Sequence, residues 1–188
     1  MTVTAEFLSS LNQISAQEWN AVTGTDYPFL RHEFLHGLEQ TGCANADTGW
    51  QACHLLLRDE AGILALMPLY LKSHSYGEYV FDWSWADAWQ RSGLNYYPKL
   101  VTAIPFTPAT GPRLCLRPGV DLKAAWNIAL AAVRQFAAKQ SISSWHVLFP
   151  EQHTAESLLE QGLHRRTATQ FHWLNEDYAS FEDFLTTF

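Results

Sequence analysis

Residues 72–113 concentrate the side chains whose chemistry could serve a ligand. Aromatic rings are interspersed there with acids and bases, among them Tyr76, Glu78, Asp82, Trp83, Trp85, Asp87, Tyr97, Lys99 and Arg113. Aromatic faces can stack on a sugar or a base, and carboxylates can hold hydroxyls or an amine. Long aperiodic connections in compact domains are usually functional or disordered, and this one is too aromatic for disorder. We therefore predict that residues 72–113 form an ordered ligand-binding surface.

Individual roles follow from residue type. Asp82 and Asp87 are candidate catalytic carboxylates, because an acid among large apolar side chains is either looped out to solvent or deliberately partnered. His172, on a predicted strand, is a candidate general base near neutral pH, and His146 is another. The substrate-binding candidates are Tyr76, Glu78, Trp83, Trp85, Tyr97, Lys99 and Arg113. The alternatives are core packing for the rings, ordinary salt bridges for the bases and hydrogen-bonded core positions for both histidines.

His32–His36 reads HEFLH, a literal HExxH on a predicted helix. In zinc metalloproteases this pattern supplies two metal ligands and a glutamate that activates water. A third protein ligand would have to come from an acid in a downstream loop or hairpin tip. Leu30, Phe34 and Leu38 define the predicted buried face, which leaves both histidines exposed. We predict no metal site, and a metalloprotease remains only an alternative.

Composition limits the classes of function. The chain has 188 residues, 47% of them hydrophobic, which is enough for one domain with a substantial core. A net charge of −7 and a pI near 5.5 disfavour binding to nucleic acid or anionic membranes. Three cysteines without a CxxC pair favour a reducing compartment. With neither a signal peptide nor a membrane span in the pattern, we expect a cytoplasmic protein.

Strands and helices alternate along most of the chain. A capping box at Ser15 and Glu18 predicts a short helix, and Pro68 predicts an edge or a bulge in its strand. The remaining predicted elements are a helix over 30–41, strands over 51–58, 63–72, 113–117, 144–149 and 165–174, and helices after Asp121 and over 155–161. This order predicts an α/β (α+β) fold. An amphipathic helix starts at Phe181 and lacks an end signal, so we expect a longer polypeptide to continue it.

Four blocks of sequence carry a family resemblance. They are Pro28–Leu35, Met67–Trp89, Tyr96–Leu114 and the stretch from Gln170 through Leu185. Together they resemble the FemAB-like family of peptidoglycan biosynthesis or recognition proteins, which is related to the GNAT acyltransferases. The resemblance implies a GNAT-like fold with a mixed, mostly antiparallel central sheet flanked by helices. It also implies that residues 1–188 are a single lobe, the amino-terminal half of a two-lobe protein.

The resemblance further implies an N-acyltransferase that moves an acyl or aminoacyl group onto an amine of a cell-wall precursor. Aminoacyl-tRNA, the cell-wall precursor and a carboxy-terminal lobe or second subunit are then the expected partners. A non-catalytic recognition lobe is the alternative. A GNAT that binds acetyl-CoA needs a glycine-rich turn before its central helix. Residues 117–121 lack that pattern and place Asp121 where the anion would lie, so we expect no cofactor and no acetyl-CoA in this lobe.

Overall fold

Two four-stranded sheets joined by one long hairpin form the centre of the protein. The computed structural model describes residues 2–187. The strands are β1 (Thr4–Leu8), β2 (Gln51–Ala52), β3 (His54–Asp59), β4 (Gly62–Met67), β5 (Tyr70–Lys72), β6 (Lys99–Thr102), β7 (Cys115–Leu116) and β8 (Trp145–Val147). The first sheet has the order β1-β3-β4-β7 and the second the order β2-β5-β6-β8. Every pair is antiparallel except β6 with β8, which run parallel.

The described residues form six α-helices. They are α1 (Ala16–Thr23), α2 (His32–Gln40), α3 (Trp83–Arg91), α4 (Leu122–Lys139), α5 (Gln152–Glu160) and α6 (Phe181–Leu185). Short 3-10 turns cover Leu11–Gln13 and Pro28–Leu30. The mixed sheets with flanking helices confirm the predicted fold class. Among residues 2–187, no helix combines the length and apolar character that crossing a bilayer requires.

Pro68 lies in the break between β4 and β5, where the chain passes from one sheet to the other, so the predicted strand 63–72 is divided in two and has no bulge at this proline. Leu69 donates its N–H to His54 Nδ1 at 3.2 Å, and its carbonyl accepts from Cys53 at 2.9 Å. His54 Nε2 in turn meets Glu39 Oε1 at 3.0 Å. Proline has no N–H to donate to a ladder, which suits the break between the strands. The N–H of Leu69 is satisfied there by the buried His54 side chain and not by another strand.

Helix α4 covers the joined sheets on one side. Asp121 caps it, and its buried face presents Trp126, Ala129 and Val133 to the core formed by alternate residues of the long hairpin. Helices α1 and α2 close a second core on the other side of the first sheet, around Trp19 and Leu35. The face of the second sheet opposite α4 carries the candidate site.

Three local predictions are wrong. Residues 165–174 form no strand and are exposed, because their apolar side chains have no sheet or core surface against which to pack. The predicted aperiodic run 72–113 contains helix α3 and strand β6. On α2, Leu35 and His32 are buried, whereas Phe34 is only half-buried. The sequence shows which residues are apolar, but the helix's rotation about its axis is set by its tertiary contacts.

Candidate functional site

One face of the second sheet carries the charged residues of the candidate site. Lys72 on β5 and Lys99 on β6 are direct cross-strand partners, and His146 on β8 pairs with Val101. Residues two apart on a strand share a face, so these side chains project away from α4. The segment 73–98, which includes α3, covers them. Like charges directly opposite each other are destabilising, so the two lysines require compensation.

Acids of the covering segment supply that compensation. Lys99 Nζ donates to Asp82 at 2.5 Å and to Glu78 at 2.8 Å. It also donates to Ser75 Oγ at 2.9 Å, and the Tyr96 hydroxyl donates to Asp82 at 2.6 Å. Lys99, Glu78 and Asp82 are all buried. Because charge-assisted hydrogen bonds are the strong ones, this arrangement fixes the segment onto the sheet.

Lys72 completes what we call the buried ion cluster, formed by Lys72, Glu78, Asp82 and Lys99. Its Nζ donates to the Tyr76 carbonyl at 3.1 Å and lies 3.7 Å from the centre of the Trp50 ring. Burial lowers the pKa of Lys72 to about 7, although the charge of Glu78 opposes the shift. The cluster therefore contains two basic and two acidic side chains beneath the segment.

The two carboxyls of the cluster differ in basicity. Burial acts to raise the pKa of Asp82, but hydrogen bonds, the largest from Lys99, outweigh it and lower that pKa to about 2. Burial raises the pKa of Glu78 above its ordinary value, with Lys99 opposing the shift. Glu78 Oε1 and Asp82 Oδ1 are both buried without a hydrogen-bond partner among the described residues, so the two carboxyls differ in pKa and not in this respect. Glu78 is thus the carboxyl better suited to accept a proton near neutral pH.

Acids face inward and aromatic rings face outward along residues 76–85, the reverse of the usual distribution. The exposed fractions are 66% for Tyr76, 51% for Tyr79, 74% for Phe81, 43% for Trp83 and 50% for Trp85. We call these five residues the aromatic surface. Tyr79 and Phe81 have φ values of 60° and 49°, a left-handed conformation that costs about 1–3 kcal/mol in a residue other than glycine.

The remaining catalytic and binding candidates are dispersed. The Tyr97 hydroxyl reaches the buried ion cluster through Ser75 Oγ at 2.7 Å. Asp87 points away from the cluster on α3 and pairs with Arg91 at 3.2 Å, with both side chains exposed. His172 is exposed in the C-terminal segment. The structure therefore brings Tyr97, Glu78, Asp82 and Lys99 together and leaves Asp87 and His172 outside.

Arg113 lies elsewhere and binds backbone instead of acids. Its Nε donates to Leu148 O at 2.7 Å, Nη2 to Ala109 O at 2.6 Å and Nη1 to Pro112 O at 2.9 Å. The side chain is fully buried, and burial lowers its pKa. Neither the predicted substrate contact nor the alternative salt bridge describes these contacts. Arg113 holds the loop 105–112 against the end of β8.

Several residues that complete the site were not among the sequence candidates. Ser75 and Tyr96 bind the ion cluster, and Trp50 lies under Lys72 from outside the segment. Nothing in their local sequence distinguishes them, because their role depends on strand pairing.

His146, the second candidate base, is half-buried, and its Nε2 lies 3.0 Å from Ser144 Oγ. Burial, assisted by the charge of Lys99, lowers the pKa of His146 to about 4.

The N-terminus of α4 is already capped. Asp121 Oδ1 accepts the Ala124 N–H at 2.8 Å, and the preceding Arg117 is held by Asp59 at 2.6 Å. A phosphate at a helix N-terminus needs free N–H groups and no competing negative charge. The Asp121 carboxylate therefore accepts an N–H that an anion at this helix N-terminus would otherwise bind.

The HExxH motif is occupied by structural contacts. His32, predicted to be exposed, is buried, and its Nε2 lies 3.1 Å from both Leu11 O and Ile14 O. His36 Nε2 meets Asn12 Oδ1 at 2.8 Å. A ring nitrogen that faces two carbonyl oxygens carries the proton and has no lone pair for a metal. Within residues 2–187, no group of three potential ligands could hold a metal ion.

Comparison with solved structures identifies the fold. A ribosomal-protein-alanine N-acetyltransferase from Brucella melitensis biovar Abortus 2308 is 12% identical, with a TM-score of 0.55 over 93% of this chain and 99% of that chain. The acetyltransferase AAC(6')-Iy, solved with a bisubstrate analogue, is 10% identical, with a TM-score of 0.54 over 93% and 99% of the two chains. A second structure of AAC(6')-Iy, with CoA, is 9% identical, with a TM-score of 0.53 over 92% and 95%. The fold is therefore that of the GNAT acetyltransferases.

The sequence itself gives the family. No curated protein matches the chain. The FemAB-like family, described as peptidoglycan biosynthesis/recognition, matches residues 10–188. That range includes seven of the eight strands, the buried ion cluster and the aromatic surface. The chain belongs to the FemAB-like family.

Proposed function

We propose that the protein is an N-acyltransferase that moves an acyl or aminoacyl group from an ester onto an amine of a cell-wall precursor. The observation that carries the proposal is the family match over residues 10–188, because it covers the whole described site. The GNAT fold supports an acyltransferase architecture, although a fold alone does not specify a reaction. Aminoacyl-tRNA is the donor this proposal favours, and the reaction would occur in the cytoplasm.

The chemistry requires a base and a positioned amine. The amine nitrogen attacks the ester carbonyl, a C–N bond forms, the C–O bond breaks, and the alcohol leaves with a proton. A base must take the proton that the amine loses. We assign this role to Glu78, whose raised pKa suits it better than Asp82, whose pKa is about 2. Asp82 and Lys99 then keep Glu78 in place.

The proposal includes no coenzyme A. The Asp121 carboxylate at the start of α4 supports this, because it accepts the N–H that a pyrophosphate would use. Titration of the protein with acetyl-CoA in a calorimeter should give no binding. Micromolar affinity would contradict this part of the proposal.

The aromatic surface is open on its outer side, so we also propose that a second GNAT-like lobe or a second subunit supplies the opposite wall.

A recognition lobe without catalysis is the second candidate. The observation that favours it is the closure of the buried ion cluster, since Glu78 and Asp82 lie beneath the segment that carries the aromatic surface. Transfer therefore requires that the segment open far enough for an amine to reach Glu78. In the recognition alternative the segment stays closed, and only its outer face contacts the ligand.

A labelled-donor assay separates the two candidates. The protein is incubated with aminoacyl-tRNA carrying a labelled amino acid and with an amine-bearing cell-wall precursor, and the product is resolved by mass spectrometry. Glu78→Gln should abolish transfer while the protein remains folded, because glutamine cannot accept the proton. Glu160→Gln is the matched control, since that exposed carboxylate pairs with Lys123 at 2.9 Å and lies outside the buried ion cluster. Equal activity of wild type and Glu78→Gln would refute the role of Glu78.

A further inference from the structure

We propose that residues 165–174 form a β-strand on the open edge of β8 in a second copy of this chain, so that two copies exchange strands. We call these residues the arm. Among the described residues, β8 has no outer neighbour in its sheet, and the arm belongs to neither sheet although its sequence has a strand pattern. Each of these features supplies what the other lacks, whether or not the protein transfers an acyl group.

The open edge is the outer side of β8, the last strand in the order β2-β5-β6-β8. Leu148 donates its N–H to Thr102 O at 3.0 Å, so the even-numbered residues of this stretch turn their backbone groups toward β6. Because that direction alternates along a strand, the N–H and C=O groups of Trp145 and Val147 point outward. Strand β8 is accordingly half-buried at all three positions, whereas the inner strand β6 is buried throughout.

The arm has the side chains that such an edge needs. Residue types enriched in strands recur at every second position, namely Thr167, Thr169, Phe171 and Trp173. Phe171 is 94% exposed and Trp173 63% exposed. Alternate residues share one face of a strand, and Trp145 and Val147 already pack against the core beneath α4. In the register that places the rings on that face, they extend the apolar surface of the second sheet.

The arm is held loosely in its own chain. The Arg166 guanidinium lies 4.9 Å from the centre of the Trp85 ring, and Gln170 Nε2 donates to Pro108 O at 2.8 Å. These contacts lay the arm across α3 and the loop 105–112, and not along β8 in a ladder. Exposed contacts of this kind contribute little to stability, so the arm can leave them at low cost.

A second copy is the occupant that matches both features at once. Each chain has one open edge and one arm, so reciprocal exchange closes a two-fold pair and leaves neither unpaired. Burial of an aromatic side chain removes about 150–250 Å² from water, so the four rings of two arms approach the roughly 1,000 Å² that a specific interface needs. The arm carries the positive charges of Arg165 and Arg166, whereas the whole chain carries −7, so arm and partner attract each other.

The test is the mass of the intact protein in solution, measured by light scattering after gel filtration at increasing protein concentration. Wild type should reach twice the chain mass of 21.4 kDa. The double variant Ala168→Pro, Thr169→Pro removes N–H groups on both sides of the arm and should remain monomeric. Val147→Pro should also remain monomeric, because it removes an outward N–H of the edge and leaves the bonds to β6 intact.

The matched controls keep every N–H. Thr169→Val and Val147→Ile retain β-branched side chains, so both should form the dimer like wild type. The arm residues are exposed and lie outside both sheets, so the double variant should fold, and circular dichroism checks the fold of Val147→Pro. Amide exchange gives a second readout, because alternate arm amides should exchange slowly in the dimer and fast in each proline variant.

Three outcomes overturn the inference. The first is a wild type that stays monomeric at every concentration with fast exchange along the arm. The second is a monomer whose arm exchanges slowly, because the arm then pairs with β8 of its own chain. The third is a dimer that persists in the double variant and in Val147→Pro, because another surface then joins the two copies.

Discussion

Replacement of Lys99 by methionine removes the cation that holds Glu78 and Asp82 beneath the aromatic surface. The change deletes hydrogen bonds of 2.5, 2.8 and 2.9 Å and leaves two buried carboxylates without their main partner. Breaking a buried ion pair from one side costs about 3–5 kcal/mol. For a domain of this size each kcal/mol lowers the melting temperature by about 2–4 °C. We therefore expect Lys99→Met to melt roughly 10 °C below wild type.

The loss should depend on pH. In wild type the folded pKa of Asp82, about 2, lies below its ordinary value of 3.8. Its contribution to stability is therefore present above pH 3.8 and is lost as pH falls through 2. Without Lys99, burial raises the carboxyl pKa values above their unfolded values, so the variant loses stability as pH rises. The difference in unfolding free energy between wild type and Lys99→Met should be larger at pH 8 than at pH 4.5.

Urea unfolding followed by circular dichroism at both pH values measures this difference. Lys123→Met is the matched control, because Lys123 makes a 2.9 Å contact with Glu160 while both side chains are more than 60% exposed. Exposed pairs contribute little, so the control should unfold close to wild type. Equal urea midpoints for Lys99→Met and Lys123→Met would refute the reasoning, since burial would then make no difference to the pair.

Three further predictions concern other parts of the protein. Arg113→Met removes the donor of the buried Leu148 carbonyl and of the part-buried Ala109 and Pro112 carbonyls, so we expect a loss of about 1–3 kcal/mol in urea unfolding and faster amide exchange at Gly111, whose N–H donates to Phe149 O at 3.2 Å; unchanged exchange would contradict the assigned role. The pKa of about 4 for His146 predicts that its imidazole resonances stay constant in NMR spectra from pH 8 down to pH 5.5, and a midpoint near 6.5 would contradict it. In the native protein only Cys43 should react with a thiol reagent, because Cys53 and Cys115 are buried with pKa values raised to about 12 by burial; three fast thiols would refute this.

Local signals were sufficient for much of the fold. The capping box at Ser15 and Glu18 forms as predicted, with Glu18 N bound to Ser15 Oγ. Asp121 caps an 18-residue helix whose apolar positions recur at helical spacing. Each of these features depends on residues within one or two turns of each other, so the sequence alone contains the necessary information.

The site was only partly predictable, because it depends on pairing between distant strands. The segment 72–113 could be recognised from its unusual composition. That Lys72 would lie directly opposite Lys99 could not, since strand register is a tertiary property. Without that register, the sequence did not show which acids turn inward, so Asp87 received the same role as Asp82. The strand predicted over 165–174 failed for a related reason, because β-propensity requires a neighbouring strand.

The central claim is acyl transfer onto an amine, and a single labelling experiment tests it most directly. Purified protein is mixed with aminoacyl-tRNA bearing a radiolabelled amino acid and with an amine-bearing cell-wall precursor. We predict that the label becomes bound to the precursor through an amide that resists mild base, and that Glu78→Gln prevents this. A precursor that stays unlabelled, while the same protein preparation binds it, would contradict the catalytic account and establish a recognition lobe.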